Sequence, residues 1–136
     1  MIFVLFFGLA IIGAMYGQSN SYAGLYRISS FVIGEVDVTY GVEVCLIIEQ
    51  NNNPSVFVYG RGQFDSNDPL NGVLQWMTFA DYNSSSGLYE RATITNPETG
   101  EYLTVAGRIT RTGNRVRIET LVYGEVSSTI DLIPVN

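Results

Sequence analysis

The chain has 136 residues, 46% apolar and 15% charged, enough for one globular domain with a real core and too apolar for a disordered polymer. Thirteen acids oppose seven bases for a net charge of −6, and all seven bases are Arg, with no Lys and no His. That inventory removes the commonest general base and metal ligand, lysine Schiff-base and P-loop chemistry, and the basic footprint of a nucleic-acid partner.

Residues 2–14, IFVLFFGLAIIGA, carry no charged or hydrogen-bonding side chain, and no charge appears before Arg27. The run has the pattern of a secretory signal's apolar helical core, with Gly13, Ala14, Gly17 and Ser19 as small residues for a peptidase. It lacks a basic residue ahead of the core and falls short of the roughly 20 residues a spanning helix needs, which favours cleavage over a retained anchor. The expected division is 1–19 as signal peptide or N-terminal membrane segment and 20–136 as the domain. The protein is then secreted or extracellular, and membrane-tethered through that segment where it is not cleaved.

The remainder is broken at short intervals by turn residues, including Asn51-Asn52-Asn53-Pro54, Asn71-Gly72, Asn83-Ser84-Ser85-Ser86-Gly87 and Gly113-Asn114. Strands are expected over 23–32, 35–49 (one run, or two pieces bent at Gly41), 55–64, 72–82, 87–95, 101–111, 115–123 and 125–134. In the clearest hairpin, Leu103, Val105 and Ile109 share one parity, Val116, Ile118 and Val122 share another, and Gly113-Asn114 supplies the positive φ of a two-residue turn. Val42, Val44, Leu46 and Ile48 form one apolar stripe, while 72–82 is apolar on both faces and needs a cover or a partner. The paired strand glycines Gly60 and Gly62 mark a bulge, a corner or a close backbone approach. The fold class is all-β, a single antiparallel domain of about eight strands, with an up-and-down barrel favoured over a two-sheet sandwich. Gly24-Leu25-Tyr26 returns as Gly87-Leu88-Tyr89 and Val58-Tyr59-Gly60 as Val122-Tyr123-Gly124, at nearly equal offsets, an echo of a duplicated half.

Candidate chemistry is sparse. Cys45, the single cysteine, excludes an intramolecular disulfide and a Cys-based metal site, and VEVCLIIE reads as a packed, inert thiol. Glu43 and Glu49 would stand roughly 20 Å apart on one strand, too far for a glycosidase pair. Asp65, Asp68 and Asp81 lie at turns, where Asp caps its own backbone, and no metal or cofactor motif is present. Ser84-Ser85-Ser86 has no base to activate it. Asn83-Ser84-Ser85 is a formal glycosylation sequon, making Asn83 a candidate glycosylation site. The Arg108–Arg117 cluster reads first as a charged strand surface. Nine Tyr, seven Phe and one Trp are many aromatics; Tyr59, Trp76, Tyr89, Tyr102 and Tyr123 are candidate ligand-binding residues, against the alternative that they simply fill or cover strands.

Gly24-x-Tyr26 on the first strand resembles the opening of calycin-type barrels, which implies an up-and-down barrel and carries over no ligand set. The expected function is a secreted, non-enzymatic barrel that binds a small apolar ligand or a protein partner, without a cofactor. The alternative is a self-assembling extracellular structural subunit that pairs through strand edges or a donated terminal strand, using 18–24 or the tail STIDLIPVN.

Overall fold

The computed structural model describes residues 21–135, so the predicted signal or membrane segment lies outside the described residues. Nine strands follow in order: β1 (Gly24–Ile33), β2 (Val36–Asp37), β3 (Val44–Gln50), β4 (Asn53–Tyr59), β5 (Val73–Asn83), β6 (Leu88–Thr95), β7 (Tyr102–Thr112), β8 (Arg115–Val122) and β9 (Glu125–Pro134). Apart from the two-residue β2, which pairs only with β1, each strand is antiparallel to its sequence neighbours. β9 then pairs with β1, closing eight strands into an up-and-down barrel rather than two facing sheets. The expected barrel is the observed one.

Turn chemistry sets the hairpins. Asn51 and Asn52 both hold positive φ (55° and 64°) between the paired Gln50 and Asn53, as a tight two-residue turn requires. Gly113 does the same at φ 65° between Thr112 and Arg115. Of the expected runs, 35–49 divides near Gly41 and 55–64 ends early. The run 35–49 is interrupted: a 3-10 turn at Thr39–Gly41 separates β2 from β3, held by the Asp37 carboxylate accepting from the Thr39 N–H at 2.9 Å. The run 55–64 stops at Tyr59, and Gly60 is instead a close-approach glycine. A Cβ there would stand 3.1 Å from Leu74 and 3.4 Å from the Gly41 carbonyl oxygen.

The interior is a side-chain core. Cys45 and Ile47 (β3), Val56 and Val58 (β4) and Phe79 (β5) are fully buried, and Ile118 (β8), Ile130 and Leu132 (β9) are 1% exposed. An eight-strand ring is just wide enough for its own side chains or for one small ligand, and here the side chains take the space. Phe79 decides the packing on one wall: it meets Tyr89 edge-on at 5.7 Å and lies over Gly107 of β7. Arg, Thr and Glu alternate outward on β7 and β8, the inverse of a lipid-exposed barrel, whose apolar band faces out.

A methyl group at position 107 would stand 2.7 Å from Phe79 Cδ2 and 3.0 Å from Ala92 Cβ. Gly107→Ala is therefore expected to cost about 1–3 kcal/mol, as overpacking of a filled core does. Urea denaturation checks this: the midpoint drops at unchanged m-value, and an unmoved midpoint contradicts a filled interior.

Candidate functional site on the outer face of the barrel

β3 and β4 are apolar on both faces. Cys45, Ile47, Val56 and Val58 point inward, while Leu46, Ile48, Phe57 and Tyr59 form a second buried cluster on the outside. That outer face needs a cover, and the connection 60–72 supplies it. Phe64 packs edge-on against Tyr59 (5.0 Å between centroids, 77° between planes), and the Tyr59 hydroxyl donates to the Pro69 carbonyl. The connection folds back tightly because Gly72 sits at φ 81°, 2.7 Å from the Gln63 oxygen at the point where a Cβ would stand. Asp65 caps it, its carboxylate accepting from the Asn67 N–H at 2.8 Å.

The cover is incomplete. Beside it runs a groove of about 440 Å³ with an apolar floor and walls of Ile48, Phe57, Leu70, Val73, Trp76 and Pro97, and with Gln50 and Ser55 as its polar contribution. Trp76 is 38% exposed and lies parallel to Phe57, with 5.9 Å between centroids and 9° between planes. The volume falls within the roughly 300–1,000 Å³ of small-molecule sites. No family model, curated protein or solved structure matches this chain. The groove therefore has to be read from its own chemistry.

The five aromatics chosen from sequence do not converge. Trp76 lines the groove, and Tyr59 lies buried beneath the adjoining cover. Tyr89 packs inside the barrel, Tyr102 borders a shallow depression with Leu74 and Ile94, and Tyr123 stands fully exposed at the β8–β9 turn. Composition missed Ile48, Phe57, Leu70, Val73 and Pro97. The double-sided apolarity of 44–48 and 56–59 announces a second covered face and points to Ile48 and Phe57, and that of 72–82 to Val73, while Leu70 and Pro97 carry no such signal. Asn83 is half-buried, donating to Glu90 at 2.9 Å and accepting from the Ser85 N–H at 2.9 Å. Cys45 is buried, which raises its thiol pKa and makes the thiolate scarce.

The barrel's two ends differ. At one, residues 21–23 form a strap. The Glu49 carboxylate of β3 accepts from the Ser21 hydroxyl at 2.6 Å and from the Tyr22 N–H, while Arg111 of β7 donates to the Ser21 carbonyl at 2.7 Å. β3 and β7 lie diametrically opposite in the ring, so the strap crosses the mouth. Tyr22 packs on the core there, under the Arg111 guanidinium at 5.2 Å. The other, loop end gathers acids. Glu35, Asp37, Glu43, Asp65, Asp68, Glu98, Glu101 and Glu125 occupy its connections, with Arg61 as their one base. The Arg108–Arg117 cluster divides. Arg108 pairs with Glu119 at 2.8 Å and Arg117 with Asp131 at 2.7 Å on the outer face, Arg115 stands in the same face, and Arg111 serves the strap.

Burial pushes the Tyr26 and Tyr89 phenols up to about 12 from an ordinary 10.0, and raises Tyr22 and Tyr59 in the same sense. A raised acid pKa means the fold favours the neutral phenol. The stability it contributes is complete below pH 10 and disappears as pH climbs through about 12. Alkaline titration is expected to ionise the Tyr26 and Tyr89 phenols only as the β-sheet circular dichroism collapses. Ionisation of Tyr26 and Tyr89 near pH 10, with the sheet intact, contradicts this.

Proposed function

We propose that the protein is a non-enzymatic binding barrel that holds a small apolar ligand in the groove on its outer face, and that residues 1–19 direct its export. One observation carries the reading: the interior is occupied by the barrel's own side chains, whereas the groove beside Trp76 is open, apolar and of ligand size. The groove's lining includes no titratable side chain, which fits binding without catalysis. Gln50 and Ser55 would orient a ligand's single polar group, as a few placed polar atoms do in apolar sites. The calycin-type resemblance of Gly24-x-Tyr26 belongs to the same proposal, with the binding surface moved from the lumen to the flank.

A protein partner offering an apolar side chain to the same groove is the second form of this reading. The self-assembling subunit has less to support it. β1 has β3 and β9 on its two sides, and β9 has β8 and β1, so neither terminal strand offers a long open edge.

Trp76 is the only tryptophan, so its emission reports the groove alone. Titration with 1-aminoanthracene, a flat uncharged fluorophore, is expected to quench Trp76 saturably with energy transfer to the probe. Leu70→Asp, at an exposed loop position, should weaken that binding at least about tenfold and leave the circular dichroism unchanged. Absence of saturable quenching, or equal binding by Leu70→Asp, removes the proposal.

A further inference from the structure

The strap end differs from the loop end in charge as well as in closure. Arg111 and Arg115 flank the β7–β8 turn, Arg117 follows one cross-strand pair later, and Arg27 lies near the start of β1. Val116 pairs with Leu132 and Arg27 with Ile133, so Arg115 and Arg27 flank Ile133 from either side of β9. Arg27 and Arg115 are exposed and make no ion pair among the described residues. Arg117 is held by Asp131, and Arg111 spends one edge on Ser21. Of the acids at this end, Asp131 is paired with Arg117 and Asp81 with Arg91 at 3.1 Å, while Glu49 on β3 and Glu90 on β6 keep their charge, hydrogen-bonded to the strap and to Asn83. Four guanidiniums therefore form a crescent on β7, β8 and β1, in a chain whose net charge is −6.

In the chain that keeps residues 1–19, this crescent is reached directly from the most apolar stretch. Residues 2–14 lead into Ser21, and Arg111 grips Ser21 itself. An apolar run well short of roughly 20 residues cannot span a bilayer, and one weak hydrophobic signal binds membranes only marginally until a basic patch joins it. We infer that the strap end of the barrel docks on an anionic lipid bilayer, with the arginine crescent against the headgroups and the acidic loop end facing away. Each Arg near an anionic surface is worth roughly fivefold in partition, and repulsion of the loop end fixes the orientation. The groove beside Trp76 plays no part in this contact, so the two proposals fail separately.

The test uses the full chain, synthesised in a cell-free system with preformed vesicles of phosphatidylcholine alone or with about 30% phosphatidylglycerol. Flotation is expected to show at least about tenfold stronger partition onto the anionic vesicles, falling towards parity near 0.5 M salt as the charges are screened. Arg27→Glu with Arg115→Glu should abolish the preference while circular dichroism stays unchanged. Equal partition on both vesicles overturns the inference, as does a preference that survives the double reversal. Lipid-independent multimers that the same reversal dissolves would also overturn it, because the crescent would then meet the acidic end of a second copy.

Discussion

The pairing of β1 with β9 is the constraint from which the rest of this molecule follows. It runs from Tyr26 opposite Pro134 to Ile33 opposite Ser128, joining the first and last long strands of a meander that every other pairing leaves open. Once the ring closes, each long strand has two neighbours, the interior volume is set by strand number, and inward side chains must fill it. Ile28 and Phe31 on β1 meet Ile130 and Leu132 on β9 inside that ring, so the closing seam is itself part of the core. The seam joins residues about a hundred positions apart, and its loop-closure cost is recovered only when those apolar faces come together.

A filled lumen moves any binding to the outside, and the sequence provides for that on one flank. β3 and β4 carry more apolar surface than one face can hold, and the connection 60–72 covers most of the excess. What it leaves is the groove between Trp76, Phe57 and Leu70. The opposite flank, β7 to β9, is a ladder of cross-strand ion pairs, with Arg108 on Glu119 and Arg117 on Asp131. Such pairs contribute little each to stability at an exposed surface, but they keep that flank polar. An apolar flank, a polar flank, a basic strap end and an acidic loop end give the barrel distinct surfaces despite its repetitive build.

Much of the fold was legible because hairpins are local. The Gly113-Asn114 turn and the alternation of Leu103, Val105, Ile109, Val116 and Ile118 give the β7–β8 hairpin directly. Legibility ends where parity slips. Val42 packs in the core while Val44 joins the outer cluster, so the apparent stripe from Val42 to Ile48 divides where the backbone leaves the 3-10 turn. Leu74 is an extra residue in β5, since Val58 pairs with Gln75 and Tyr59 with Val73, and it sends Val73 outward away from Met77 and Phe79. Val122 is 38% exposed as the last residue of β8, beside the Tyr123-Gly124 turn and past the point where β9 inserts Ser127 into the β8–β9 register. The internal echo lands on β1 with β6 and on β4 with β8, the first and third strands of each four-strand half. The groove and the strap were not legible, because each joins residues distant in sequence, such as Ser21 with Glu49 and Leu70 with Pro97.

Methyl NMR of the full chain during titration with an apolar probe addresses the central claim that the lumen is occupied and the flank is not. Ile48, Leu70 and Val73 methyls should shift saturably, while Ile47, Val58 and Ile118 on the inner face stay in place. Saturable shifts confined to the inner set, with the flank unmoved, would show a ligand inside the barrel and contradict a core filled by its own side chains.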